Sequence, residues 1–237
     1  MPTMLVVTAH PGDFVWRAGG AIALHARAGW RVHVTCLSFG ERGESQGAWR
    51  QPGATLEGVK AARRAEAEKA AGILGATIEF FDAGDYPLGL TPALMERMVD
   101  TYRALRPDVV LTHAAEDPYN FDHPAANRFA LQARVIAQAA GHKPGPDAAY
   151  NAPQVYMFEP HQTEQCGFRP DAILNIDPVW EVKRAAFEAL PAQQHLWHYY
   201  ERVALNRGQQ GGRNTGRAMT YGEAYQRCFP EALDLLR

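Results

Sequence analysis

Two short strings in this chain of 237 residues hold the side chains best suited to chemistry. One is Ala9-His10-Pro11-Gly12-Asp13, directly after the apolar run Met4-Leu5-Val6-Val7-Thr8; the other is Tyr119-Asn120-Phe121-Asp122-His123-Pro124. An imidazole and a carboxylate three residues apart, with a Pro-Gly turn between them, suit a divalent zinc-like ion. A catalytic site of that kind needs one more protein ligand and one open position, and His123 is the candidate to join His10 and Asp13. Each residue also has a plain structural alternative, a strand-end histidine satisfied by backbone and an aspartate capping the next helix. Their recurrence at two strand exits favours the metal. Zinc, manganese and iron all accept two histidines and a carboxylate, so the expected cofactor is zinc or another divalent metal.

The surrounding elements must position these groups. Met4 to Thr8 is short and almost continuously apolar, which predicts a buried parallel strand. A helix is expected over 19–28 and a second strand from Arg31 to Ser38, a βαβ unit with a right-handed crossover. Phe39 to Thr55 lacks periodicity and reads as a functional loop. Helices are predicted from Leu56 to Leu74 and from Pro92 to Leu105, with strands from Ile78 to Phe81 and from Asp108 to Thr112. His113 to Asp122 leaves the fourth strand as a loop, and a helix follows from Pro124 to Ala140. Gly141 to Pro153 is a connection leading to a strand from Val155 to Phe158, whose exit reads Glu159-Pro160-His161-Gln162. Ile173 to Ile176 is expected to be the last strand, with helices over Val179 to Ala189 and His195 to Asn206. The glycine-rich stretch 207–217 is expected to be a flexible loop or an inter-subunit contact. The expected fold class is α/β: one domain over 1–237, with a mainly parallel Rossmann-like sheet and helices on both faces. Its site should lie at the carboxyl ends of the strands.

Composition narrows the partners. The chain is 46% hydrophobic and 21% charged with a formal net charge of -2, which argues against a nucleic-acid partner. Cys36, Cys166 and Cys228 are odd in number and widely spaced, so a reducing cytoplasm is expected rather than a disulfide framework. The first apolar run has the length of a strand, short of a signal or membrane segment, and no membrane partner is expected. The Arg- and Gly-rich segment near residue 210 suits contact between copies in a homo-oligomer.

The residues around the two strings resemble the LmbE-like, PIG-L-type zinc deacetylases. The family pattern is Ala-His-Pro-Asp-Asp, then Gly-Gly, then His-Pro-Asp-His. Here the matching strings are Ala9-His10-Pro11-Gly12-Asp13, Gly19-Gly20 and Asn120-Phe121-Asp122-His123. The resemblance implies zinc-ligand roles for His10, Asp13 and His123. Two departures matter. Where those deacetylases carry the aspartate that activates water, this chain has Gly12, and where they carry a histidine it has Asn120. Amide hydrolysis needs acid and base assistance, and both usual providers are missing.

Longer strings resemble a narrower group, the 4-oxalomesaconate hydratases of protocatechuate and gallate 4,5-cleavage. They run from Asp13 to Ala26, from Cys36 to Ser45 and from Asp117 to Pro124, with Phe158-Glu159-Pro160-His161-Gln162 and His195-Leu196-Trp197. This resemblance implies addition of water to a carbon–carbon double bond of a small tricarboxylate, giving 4-carboxy-4-hydroxy-2-oxoadipate. Under it, Glu44 and His161 are the candidate acid and base in either order, with Glu41 a competitor to Glu44. Arg17, Arg42, Arg63 and Arg213, together with Asn120, are candidates to hold substrate carboxylates. Trp16 and Tyr119 are candidate pocket walls, and His113 could orient a ligand. A zinc-dependent deacetylase of an amino sugar or related amide stays open as an alternative, as does a non-catalytic binder of an acidic metabolite.

Overall fold

β1 (Thr3–Thr8) divides its side chains between two apolar layers, as the period of two along a strand requires. Met4 and Val6 join one core cluster, while Leu5 and Val7 join the other. A strand buried on both faces needs helices on both faces. The computed structural model, which describes residues 1–144 and 152–232, supplies them. On the first face lie α1 (Asp13–Arg27), α3 (Leu56–Leu74) and α6 (Trp180–Glu188). On the second lie α4 (Pro92–Leu105) and α5 (Asp122–Gln138).

The remaining strands are β2 (Arg31–Cys36), β3 (Thr77–Phe80), β4 (Val109–Thr112), β5 (Gln154–Phe158), β6 (Ala172–Asn175) and β7 (Gly222–Arg227). Their order in the sheet is β3-β2-β1-β4-β5-β7-β6. All pairs from β3 through β5 are parallel, and β7 runs antiparallel to both of its neighbours. Strand order reverses between β1 and β4, so a crevice opens at their carboxyl ends. The fold is the α/β class expected.

Local signals set the helix ends. Thr55 Oγ1 accepts from Gly58 N ahead of α3, and Gly75 closes that helix with φ 79°. Thr91 caps α4 in the same way, with Pro92 in the first turn. α1 begins at Asp13 rather than near Gly19, which places Asp13 and Arg17 one turn apart. Gly20 lies where a Cβ would come within 2.8 Å of Glu223 Oε1, and the Gly20 and Ala21 amides donate to the Glu223 carboxylate. The expected loop at 39–55 contains a four-residue helix, α2 (Gln46–Trp49).

Two expectations are corrected. Ile173 to Ile176 is not the last strand of the chain, because β7 follows it in sequence and inserts between β5 and β6, leaving β6 at the sheet's edge. The stretch 207–217 is not a loop through most of its length, because α7 (Trp197–Thr215) continues through it. Its glycines serve close packing. A Cβ on Gly208 would lie 2.0 Å from the Thr220 carbonyl oxygen, and one on Gly211 would lie 2.6 Å from Met219 Sδ. The connection 141–153 falls partly outside the described residues. No helix among the described residues is long and apolar enough to cross a membrane.

Candidate active site

A cavity of about 480 Å³ opens at the carboxyl ends of the parallel strands, with Asp13, Glu44, His123 and His161 in its wall. Each comes from a different strand exit. Asp13 follows β1, Glu44 follows β2, His123 follows β4 and His161 follows β5.

His10, Asp13 and His123 are all buried, and each offers one ligand atom so that the three lie within 4.8 Å of one another. The two imidazoles are held alike. His10 Nε2 meets Asp122 Oδ2 at 3.2 Å, and its Nδ1 meets Asp13 Oδ2 at 3.1 Å. His123 Nδ1 meets Asp117 Oδ2 at 2.8 Å, which leaves its Nε2 3.5 Å from Asp13 Oδ1. Each histidine thus has one nitrogen on an outer carboxylate and the other turned towards Asp13, the arrangement that orients metal-binding imidazoles.

The residues fit a divalent cation. His123 Nε2 is buried without a hydrogen-bond partner, a costly arrangement unless something else binds it. Burial would lower the His10 pKa, yet Asp122, Asp13 and Glu44 outweigh it and push the imidazole up to about 10. That field of carboxylates favours positive charge at the site. Burial also opposes ionisation of Asp117 and Asp122, but hydrogen bonds with His123 and His10 hold both carboxyls below the usual range. His113 stacks on His123 with ring centres 4.2 Å apart and accepts from Ala9 N at 2.9 Å. Its own pKa is lowered, by burial first and then by His123, so it stays neutral. It steadies the ring of a candidate ligand.

Glu44 sits beside this cluster, with Oε1 3.8 Å from His10 Nδ1. Asn120 Nδ2 donates to Glu44 Oε1 at 3.1 Å, and Gln193 Nε2 donates to Oε2 at 2.8 Å. Glu41, the competitor to Glu44, points away from the cavity. It is fully buried, accepts from Phe39 N and forms no part of the cavity wall. His161 stacks on Tyr199 at 4.1 Å, and its Nδ1 is 3.5 Å from the Tyr200 hydroxyl. Burial and then the charge of Arg17 lower the His161 pKa, so its resting form is neutral.

Among the expected arginines, Arg17 lines the cavity; its Nε is buried without a hydrogen bond, 3.5 Å from Asp13 Oδ1. The other three are corrections. Arg42 is turned to the Asp85 carbonyl, Arg63 holds Glu66 and Gln193, and Arg213 is exposed in the last turn of α7. Ionic and hydrogen-bonding demands inside the protein claim Arg42 and Arg63, so neither fork faces the cavity. Trp16 and Tyr119 line the wall as expected, and Asn120 lines it beside them.

Sequence reasoning missed Asp117 and Asp122 as partners of the histidines, Gln193 as a partner of Glu44, and Arg50 and His195 in the wall. The two aspartates had a signal, since they share a loop with His123. The loop builds itself: Asp117 Oδ1 accepts from Tyr119 N and Asn120 N, while Asn120 Oδ1 accepts from Asp122 N. Gln193 had none, being 149 residues from the glutamate it touches.

The chain is similar to several known proteins along most of its length. The solved structure of the 4-carboxy-2-hydroxymuconate hydratase from Pseudomonas putida is 54% identical and covers 100% of both chains with a TM-score of 0.98. A Pseudomonas putida protein named 4-oxalmesaconate hydratase is 54% identical over 236 residues, 98% of this chain and 91% of that protein. The N,N'-diacetylchitobiose deacetylase from Pyrococcus horikoshii is 21% identical, with a TM-score of 0.78 over 95% of this chain and 83% of its own, a likeness of fold. The model of the GlcNAc-PI de-N-acetylases matches residues 5–134, the stretch that contains both histidines and the aspartate between them. On these matches the chain belongs to the PIG-L family of GlcNAc-PI de-N-acetylases.

Proposed function

We propose that this protein is a metal-dependent hydratase that adds water across a carbon–carbon double bond of 4-oxalomesaconate, also called 4-carboxy-2-hydroxymuconate. The product is 4-carboxy-4-hydroxy-2-oxoadipate, and the reaction belongs to aromatic-acid catabolism in the cytoplasm. The observation that carries the reading is 54% identity, along nearly the whole chain, to a protein named for that reaction.

His10, Asp13 and His123 would hold zinc or another divalent ion, with Asp122 and Asp117 fixing the two imidazoles. When bound, such an ion supplies a cationic centre that acidifies water and polarises substrate oxygen. Hydration forms one C–O and one C–H bond and moves one proton from water to carbon. Glu44 is the base. Both of its oxygens accept from side-chain amide N–H groups, which fix the carboxylate in the cavity wall. His161 is the matching acid. It rests neutral, and the negative charge of a bound tricarboxylate favours its imidazolium. Arg17, whose guanidinium lines the cavity with Nη1 on the Glu159 carbonyl and Nε beside Asp13, holds one substrate carboxylate.

Gly12 and Asn120 stand against the deacetylase alternative, because neither residue takes up a proton near neutral pH. The test is to incubate metal-loaded protein in parallel with 4-oxalomesaconate and with an N-acetylated amino sugar. Loss of the unsaturated chromophore in the first alone is expected. Acetate release from the second would overturn the reading, and silence from both would leave a binder.

A further inference from the structure

We infer that Gln193 is a positioning residue for Glu44, and that position 12 carries glycine to admit its side chain. The inference rests on Glu44 serving the hydration. Gly12 has φ -81° and ψ -28°, ordinary helical backbone open to any residue. Conformation therefore does not require glycine there. Space does: an ideal Cβ on Gly12 would lie 2.2 Å from Gln193 Oε1 and 2.5 Å from Trp16 Nε1.

Gln193 reaches this place from a short 3-10 turn at Pro191–Leu196, where it departs from helical geometry with φ -122° and ψ 29°. The side chain is tethered at both ends. Arg63 Nη2 donates to Gln193 Oε1 at 3.0 Å, and Gln193 Nε2 donates to Glu44 Oε2 at 2.8 Å. The orientation of the amide is forced, because a guanidinium only donates and must face the oxygen. Arg63 is almost fully buried and is itself held by Glu66, whose other oxygen accepts from Ala192 N at 3.4 Å. The chain of contacts runs from α3, through the turn, to the carboxylate in the cavity.

Asn120 secures the other oxygen by the same logic. Its Oδ1 accepts from Asp122 N, so its Nδ2 must face Glu44. Glu44 is thereby fixed between two amides whose orientations are set elsewhere. Gln193 touches none of the three candidate metal ligands among its hydrogen bonds, so its effect is on the position of the base and not on the cation.

Gln193→Met tests this, because methionine has nearly the same length and fills the space without donating. On metal-loaded protein, kcat should fall by about 10²-fold, the order expected for a misplaced catalytic group, with KM within about threefold. Bound metal per chain should not change. In a Glu44→Gln background the same substitution should cost less than about twofold, since a residue that acts through another shows no separate effect once that one is gone. A crystal structure of Gln193→Met should show the Glu44 carboxylate displaced by about 1 Å or more. Near-normal kcat in Gln193→Met, an equal loss in the Glu44→Gln background, or an unmoved Glu44 would each overturn the inference. If wild-type protein fails to hydrate 4-oxalomesaconate, the functional reading falls, while the crystal structure still decides whether Gln193 positions Glu44.

Discussion

At the scale of single residues, the site depends on carboxylates that divide the work. Asp13 faces both imidazoles, Asp117 and Asp122 hold them from behind, and Glu44 stands to one side between two amides. Glu44→Gln keeps the shape but removes the basic oxygen, so metal content should be unchanged while kcat falls by about 10²–10⁴-fold. Elemental analysis beside steady-state rates checks both halves, and a variant near wild-type speed would remove Glu44 from the mechanism. His161→Ala should behave in the same direction. The ligand candidates were legible because His10, Asp13 and His123 stand at strand exits that hydrophobic patterning reveals. The arginines were not. A sequence shows that Arg42 and Arg63 are near the right loops, but not that Asp85, Glu66 and Gln193 already occupy their donors.

At the scale of elements, strand exits on the parallel half of the sheet present the chemistry, and the antiparallel end braces it. The loop before α5 alternates over residues 119–122: Asn120 and Asp122 turn inward, while Tyr119 and Phe121 are 63% and 56% exposed. α7 is the element that patterning misjudged. Glycines at 208, 211 and 212 have the composition of a loop, and only tertiary contact shows that the helix needs them to lie against residues 217–220. Gly208→Ala raises helix propensity yet drives a Cβ into the Thr220 carbonyl. The collision should outweigh the gain, destabilising the protein by about 1–3 kcal/mol. Calorimetry would read this as a Tm lowered by roughly 2–4 °C per kcal/mol. An unchanged or raised Tm would mean that the glycine is dispensable. β7 escaped notice for a related reason, since its sequence Gly-Glu-Ala-Tyr-Gln-Arg has no apolar run and is buried by its neighbours.

At the scale of the whole molecule, the βαβ pattern made the parallel sheet readable through β5, where each strand carries β-branched, leucine or aromatic residues and helical segments come between them. Edges are maintained differently. On β3, burial alone would raise the Glu79 carboxyl, but His33 and Arg97 outweigh it and hold the pKa down at about 2. Arg97 Nη2 donates to Glu79 Oε2 at 2.7 Å and Thr35 Oγ1 to Oε1 at 3.1 Å, tying α4 and β2 to the edge strand. A carboxyl whose pKa is depressed on folding stabilises the native state above its ordinary value and ceases to do so as pH falls through the folded value. Its contribution should therefore be complete above pH 4.5 and lost towards pH 2. Denaturant midpoints across that window should fall more gently for Glu79→Gln, which should also be the less stable protein at pH 7. Parallel curves for the two proteins would refute the linkage.

Above all three scales stands the claim that hydration takes place at one cation shared by His10, Asp13 and His123. The direct measurement is the rate of 4-oxalomesaconate hydration as zinc is returned to chelator-treated protein, with His123→Ala alongside. The account predicts no rate without metal, a linear rise to a plateau at one ion per chain, and neither rate nor stoichiometric binding in His123→Ala. Full activity in the metal-free protein, or a His123→Ala variant that binds zinc and turns over normally, would contradict it.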